Sequence, residues 1–255
     1  MTKLLKFNNV SAGYDREVVL RDVNFEVNDN DFIGVIGPNG GGKTTLIKLI
    51  LGLLKPLQGT IERMEGSNGN FAGYLPQQSL IDRKFPITVL DIVLSGLMSE
   101  KNGIARYTQA DKNKAHELLD RMGISKLASR TSMELSGGQL QRVFISRALI
   151  SSPRLLILDE PNTYVDNRFE SDLYQLLGEL NKSMAIMIVS HDVGTISYFV
   201  KTIACVNTYL HYHSSNIITE EQLAGYNCPL QIITHGDVPH TVLQKHDHLH
   251  EHPHD

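Results

Sequence analysis

Hydrophobic and polar positions change period along this chain, and each period predicts an element. Leu4-Leu5-Lys6-Phe7-Asn8-Asn9-Val10 and Val23-Asn24-Phe25-Glu26-Val27 alternate, and Asn28-Asp29-Asn30-Asp31 is a polar turn after the second run. Alternation of this kind predicts half-buried antiparallel strands. Phe32-Ile33-Gly34-Val35-Ile36 is continuously apolar, as in a strand covered on both faces. From Thr44 to Leu54 leucine and isoleucine fall at helical spacing until Lys55-Pro56, where proline cannot continue a helix. Val89 to Met98 and Gln109 to Met122 repeat their apolar residues every three or four positions, which predicts a helical insert. Beyond it, Leu155-Leu156-Ile157-Leu158 and Ala185-Ile186-Met187-Ile188-Val189 read as buried strands separated by a helix from Arg168 to Leu180. Strands alternating with helices predict an α/β fold whose parallel sheet has right-handed crossovers.

Composition narrows what such a fold can be. The chain has 255 residues, enough for one large domain with its own core. A formal net charge of −4 without a clustered basic face argues against nucleic acid as a partner, since duplex binding needs Lys and Arg to displace counterions. No run approaches the roughly 18 apolar residues that cross a bilayer, and the start, Met1 to Asn9, lacks the apolar core of a secretory signal. A cytoplasmic chain is expected. Cys205 and Cys228 are isolated, too few for a disulfide framework and predicted to be reduced. At the end of the chain His246, His248, His250, His252 and His254 recur at every second position, in a segment too polar to pack and expected to be disordered.

The candidate chemistry sits where strands end. Gly37-Pro38-Asn39-Gly40-Gly41-Gly42-Lys43-Thr44 fits G-x-x-x-x-G-K-[ST], in which backbone N–H groups wrap phosphates, lysine reaches the β and γ oxygens and threonine ligates Mg²⁺. Its place between a buried strand and a helix is the context the motif needs, and the helix start adds roughly half a positive charge facing the phosphates. Leu135-Ser136-Gly137-Gly138-Gln139 opens another helix and makes a second amide-rich anion site, which a single nucleotide does not require. Asp159 and Glu160 end one apolar strand and His191 follows another. Read alone, adjacent acids also suit a cap, a lone histidine is usually structural, Tyr14 is a turn residue and Gln77 in Tyr74-Leu75-Pro76-Gln77 is a loop amide.

Taken in order, these motifs resemble those of the ATPase subunits of ABC transporters over nearly the whole chain. The resemblance implies a P-loop NTPase core with a mostly parallel sheet, an N-terminal antiparallel β subdomain and an inserted α-helical subdomain at about 79–150. The nucleotide-binding domain would span 1–234, with a C-terminal extension at 235–255. The resemblance also implies roles for single residues. Tyr14 stacks on adenine; Gly37, Pro38, Asn39, Gly40, Gly41, Gly42, Lys43, Thr44 and Thr45 hold the phosphates; Thr44, Gln77 and Asp159 serve Mg²⁺. Glu160 orients the attacking water, His191 contacts the γ-phosphate, and Gln77 leads into the helical insert. Leu135, Ser136, Gly137, Gly138 and Gln139 close over ATP held by a second copy, so a head-to-tail homodimer with two ATP between its subunits is implied, with Asp166 at the contact. Tyr164 departs from the family pattern by standing where a small residue is usual.

A motor of this type hands its motion to a separate transmembrane permease dimer, which places it at the cytoplasmic face of the membrane. Phe85 to Gly96 and His235 to Leu243 resemble the corresponding stretches of zinc and manganese importers, which adds an extracytoplasmic metal-binding protein to the expected partners. The histidine tail agrees with zinc, because neutral imidazoles favour Zn²⁺ over oxygen-seeking Mn²⁺; His211 and His213 are further candidates or solvated side chains. The alternatives are an ATPase for another solute, an exporter's ATPase, and an ATP switch unconnected with transport. The last would carry coiled coils or two ATPase domains, and neither is present.

Overall fold

The computed structural model describes residues 2–15, 17–64, 71–77, 86–98, 106–161, 167–191, 196–216, 230–234 and 239–243, with the backbone alone at 167–171, 230–234 and 239–243. The alternating runs form β1 (Lys3–Tyr14) and β2 (Glu17–Asn28), which pair antiparallel and with β4 (Gln58–Arg63) make a sheet in the order β2-β1-β4. A second sheet has the order β5-β6-β7-β3-β8-β9, comprising β3 (Phe32–Ile36), β5 (Ala72–Leu75), β6 (Leu155–Asp159), β7 (Ala185–Val189), β8 (Thr202–Asn207) and β9 (Tyr209–His213). Its first five members run parallel and β9 is antiparallel to β8. This is the predicted α/β layout.

Successive strand residues point to opposite faces, and here both faces are covered. Leu155, Ile157, Met187 and Val189 join one apolar cluster with the β1–β2 sheet and α1 (Lys43–Leu51). Leu156, Leu158, Ile186 and Ile188 join the other, with α2 (Val89–Leu94), α3 (Gln109–Arg121), α4 (Gly137–Leu149) and α5 (Asn167–Leu180). All five residues of β3 and of β7 are buried, which is why their sequences do not alternate. Cys205 lies buried in the second of these clusters.

Two helices are shorter than their periodicity suggests. α1 ends at Leu51 rather than Leu54, because Gly52 adopts φ 73° and its N–H and that of Leu53 return to the carbonyls of Leu49 and Lys48. A left-handed glycine closes a helix before any downstream proline matters. Arg63 completes this end by donating to the carbonyls of Leu49 and Ile50 at 3.1 and 2.9 Å. α2 gives way after Leu94 to a single tight turn, Ser95–Leu97. There a Cβ on Gly96 would stand 2.1 Å from the carbonyl oxygen of Arg147, so α4 approaches too closely for a larger residue.

β10 (Leu230–Thr234) and β11 (Pro239–Leu243) form an antiparallel hairpin, and the 234/235 boundary falls between its strands. Phe85, Tyr164, Asp166, Cys228, His235 and the five tail histidines His246, His248, His250, His252 and His254 lie outside the described residues. Among the described residues no helix is long and apolar enough to cross a membrane.

Candidate functional site

Strand order builds the site. β5, β6, β7 and β3 are neighbours and parallel, with Leu75 opposite Leu158, Asp159 opposite Val189 and Val35 opposite Val189. Their carboxyl ends therefore lie side by side, where open α/β sheets hold ligands. At that edge a cavity of about 850 Å³ is lined by Tyr14, Val19, Gly37, Pro38, Asn39, Gly40, Gly42, Lys43, Thr44, Thr45, Gln77, Asp159, Glu160 and His191. Residues up to 177 positions apart in sequence meet there, Tyr14 and His191 being the extremes. Gly41 is in the same loop but presses on the carbonyl of Val206 instead, where a Cβ would come within 2.7 Å.

The loop between β3 and α1 is shaped for a phosphate chain. Gly37 (φ 149°) approaches β8 so closely that a Cβ would lie 2.0 Å from the Val206 oxygen, Gly42 (φ 108°) starts the helix, and Gly40 (φ 79°) has open space where a side chain would be. Glycines and a helix start thus border the cavity, the arrangement that suits a phosphate. Lys43 is 9% exposed, and its Nζ donates to the carbonyls of Gly37 and Pro38 at 2.7 and 2.9 Å. The ammonium is therefore pinned to the loop. Gly37→Ala forces backbone against backbone, and we expect it to lower stability by about 1–3 kcal/mol. Gly40→Ala meets no neighbour and carries only the left-handed cost of about 1–2 kcal/mol. Denaturation midpoints of the two variants check this, since loss of nucleotide binding should accompany the first more than the second.

The carboxylates differ in surroundings. Asp159 accepts from the Tyr74 hydroxyl at 3.1 Å. Burial raises the Asp159 pKa and so does the neighbouring Glu160, while the Tyr74 hydrogen bond and the Lys43 ammonium oppose the rise. Tyr74 is itself pushed well above an ordinary phenol, by burial first and then by Asp159. Glu160 takes the left-handed φ of 48° and its N–H donates to the Val189 carbonyl at 2.8 Å. Its carboxylate accepts from Gln77 Nε2 at 2.6 Å and stands 3.4 Å from His191 Nδ1. A carboxylate, an imidazole and an amide from three strand ends thus surround one point beside the lysine.

Tyr14 is 40% exposed, and Lys48 on α1 lies over its ring at 5.0 Å from the centroid. One face of the ring is occupied by a cation and the ring still lines the cavity. The second glycine turn is elsewhere. Ser136 caps α4, accepting from the Gln139 N–H at 3.3 Å and donating its own N–H to Gln139 Oε1 at 3.0 Å. Leu135 is buried in the helical cluster, Ser136 is exposed, and Gly137, Gly138 and Gln139 are half-buried. None of the five lines the cavity, so within one chain this helix start is not part of the lysine site.

Sequence reasoning missed Val19, Tyr74 and Lys48. Tyr74 lies in the quoted Tyr74-Leu75-Pro76-Gln77 run, but nothing local ties it to Asp159, 85 positions later. Lys48 follows the loop lysine by five residues and is an ordinary helix-surface cation until the fold brings Tyr14 over it. The donor set Thr44, Gln77 and Asp159 offers hydroxyl, amide and carboxylate oxygens, the hard ligands Mg²⁺ takes. Among the described residues no group of three or more His, Cys, Asp or Glu could hold another metal ion.

Residues 20–163 match the ABC transporter family model. The chain is 40% identical over 223 residues to the zinc uptake system ATP-binding protein ZurA of Listeria innocua, covering 84% of this chain and 87% of that protein. It is 32% identical over 254 residues to the zinc import ATP-binding protein ZnuC of Pasteurella multocida, covering 99% and 89%. In fold it is similar to a chain of an inward-facing ABC transporter described as of metal-chelate type, with TM-score 0.81 and 30% identity over 96% of this chain and 98% of that one. Glycine loop, paired strand-end acids, strand-end histidine and helical insert thus agree with kinship over most of the length: the chain belongs to the ABC transporter family as an ATP-binding, ATP-hydrolysing subunit.

Proposed function

We propose that this subunit powers uptake of a divalent metal ion, zinc before manganese, through a separate membrane permease. The observation that carries the reading is the convergence of Lys43, Asp159, Glu160, Gln77 and His191 at one sheet edge; the zinc named for both relatives supports the cargo. In this reading Tyr14 stacks on adenine and the Gly37–Thr45 loop takes the phosphates through its amides. Lys43 meets the β and γ oxygens as a charge already desolvated by the loop carbonyls. Thr44, Gln77 and Asp159 would hold Mg²⁺, which when bound neutralises phosphate charge. Glu160 accepts the proton of the attacking water, Gln77 and His191 fix the carboxylate, and His191 reaches the γ-phosphate.

Ser136, Gly137, Gly138 and Gln139 then serve the ATP of a second copy, and two copies sandwich two nucleotides with Asp166 near their contact. The subunit works at the cytoplasmic face of the membrane, bound to a permease dimer that receives metal from an extracytoplasmic binding protein. We further propose that the tail histidines, His246 to His254, buffer zinc. Trimming the chain after Lys245 should spare ATP hydrolysis and reduce the zinc bound per subunit at equilibrium dialysis; equal zinc with and without the tail makes the tail inert.

Growth separates the possible cargoes. Cells lacking the chain should fail in medium stripped of divalent metals and recover on added zinc. Recovery on manganese alone would reassign the ion, and growth that ignores both metals would remove metal import.

A further inference from the structure

Glu160 holds a conformation that its sequence does not favour. It is a non-glycine residue at φ 48°, and it precedes Pro161, whose ring restricts the preceding residue towards extended backbone. A left-handed residue at such a place persists only when its neighbours over-determine it. On one side the Glu160 N–H is held by the Val189 carbonyl at 2.8 Å. On the other, the Pro161 carbonyl accepts from Gln141 Nε2 at 2.6 Å.

Gln141 is fully buried, and its Oε1 has no hydrogen-bond partner among the described residues. A buried amide oxygen left unpaired is costly, so packing alone would favour an apolar side chain of the same shape here. The donor end of the amide is what distinguishes glutamine from methionine or leucine at this position. It stands on α4 one turn after Gly137, the helix whose exposed start is Ser136. The other long polar side chains of α4 go elsewhere: Gln139 closes the Ser136 cap, Arg142 donates to the Met122 carbonyl at 2.9 Å and pairs with Asp172 of α5 at 3.6 Å, and Arg147 donates to Ser95 Oγ at 2.9 Å. Among the described residues Gln141 is thus where α4 grips the end of β6.

We propose that Gln141 is a positioning residue: its amide fixes the Pro161 carbonyl, holds Glu160 in its left-handed turn, and ties the helix that begins with Ser136 to the hydrolytic carboxylate. This rests on the role given to Glu160 above. A shift of α4 when its start meets a second copy's nucleotide passes through this bond to the carboxylate. Gln141 touches neither nucleotide nor the water that attacks it.

The test is a double-mutant cycle on the full-length chain. Gln141→Met keeps the volume and removes the donor; it should leave the KM for ATP unchanged and lower kcat by about 10- to 100-fold, the scale of a small misplacement of a catalytic group. Gln141→Asn, one methylene too short to reach Pro161, should behave alike. In the Glu160→Gln background Gln141→Met should cost nothing further, because there is no carboxylate left to position. An undiminished kcat, or a loss that simply adds to that of Glu160→Gln, would overturn the inference. So would failure of both Gln141 variants to fold, which would make the amide a support of the core. If Glu160→Gln alone kept full turnover, the reading of Glu160 would fail instead, and the two failures are separately visible.

Discussion

Replacing Glu160 by glutamine should leave ATP bound and lower its turnover by roughly 10²–10⁴, the usual worth of a general base. The substitution keeps shape and volume, so the cavity and the phosphate loop are untouched. What disappears is a carboxylate able to take a proton, and with it the acceptor of the 2.6 Å bond from Gln77 and the partner of His191 at 3.4 Å. An amide in its place can keep one of these bonds by turning its oxygen towards Gln77. Because hydrolysis would then be slow while both nucleotides stay bound, the variant should accumulate as an ATP-bound dimer. Single-turnover hydrolysis and sedimentation in MgATP read the two effects separately. Normal hydrolysis would take Glu160 out of the mechanism.

Lys43→Ala should act on binding rather than on turnover. The lysine is nearly buried, with its ammonium fixed by the Gly37 and Pro38 carbonyls, so its orientation is settled before a nucleotide arrives. Charge-assisted hydrogen bonds of this kind are worth about 1.5–3 kcal/mol each. Losing one or two of them to phosphate oxygens, partly replaced by water, should weaken ATP by about 2–4 kcal/mol, or roughly 30- to 1000-fold in Kd. Titration of a fluorescent ATP analogue measures this directly. An unchanged affinity would count against the phosphate-loop assignment, since no other lysine or arginine lines the cavity among the described residues.

Much of the fold was legible because its signals are local. The fully apolar runs at Phe32–Ile36 and Ala185–Val189 became buried strands, and the glycine loop stood in the strand and helix context that its motif needs. Where tertiary contacts decided, the periodicity misled. Nothing in the apolar spacing from Thr44 to Leu54 shows that Gly52 turns left-handed with Arg63 capping its carbonyls. Nor does the run from Val89 to Met98 show that Gly96 must pass against Arg147.

The site divides in the same way. Lys43 and Thr44 are named by eight consecutive residues. Gln77, Asp159 and His191 are scattered, and only the order of motifs gathered them before the parallel register of β5, β6, β7 and β3 did so in space. Tyr74 and Gln141 escaped altogether. Each acts through a single hydrogen bond to a distant residue, Asp159 or Pro161, and such bonds leave no periodic trace. The left-handed turn of Glu160 was hidden for a further reason: a residue before proline is expected to be extended.

ATP hydrolysis by this chain should drive metal into the cell. Elemental analysis of cells lacking the chain, complemented by wild type or by Glu160→Gln, tests it most directly. Cellular zinc should fall in the deletion, and wild type should restore it where Glu160→Gln does not. Metal content that is unchanged by the deletion, or restored equally by the variant, would contradict it.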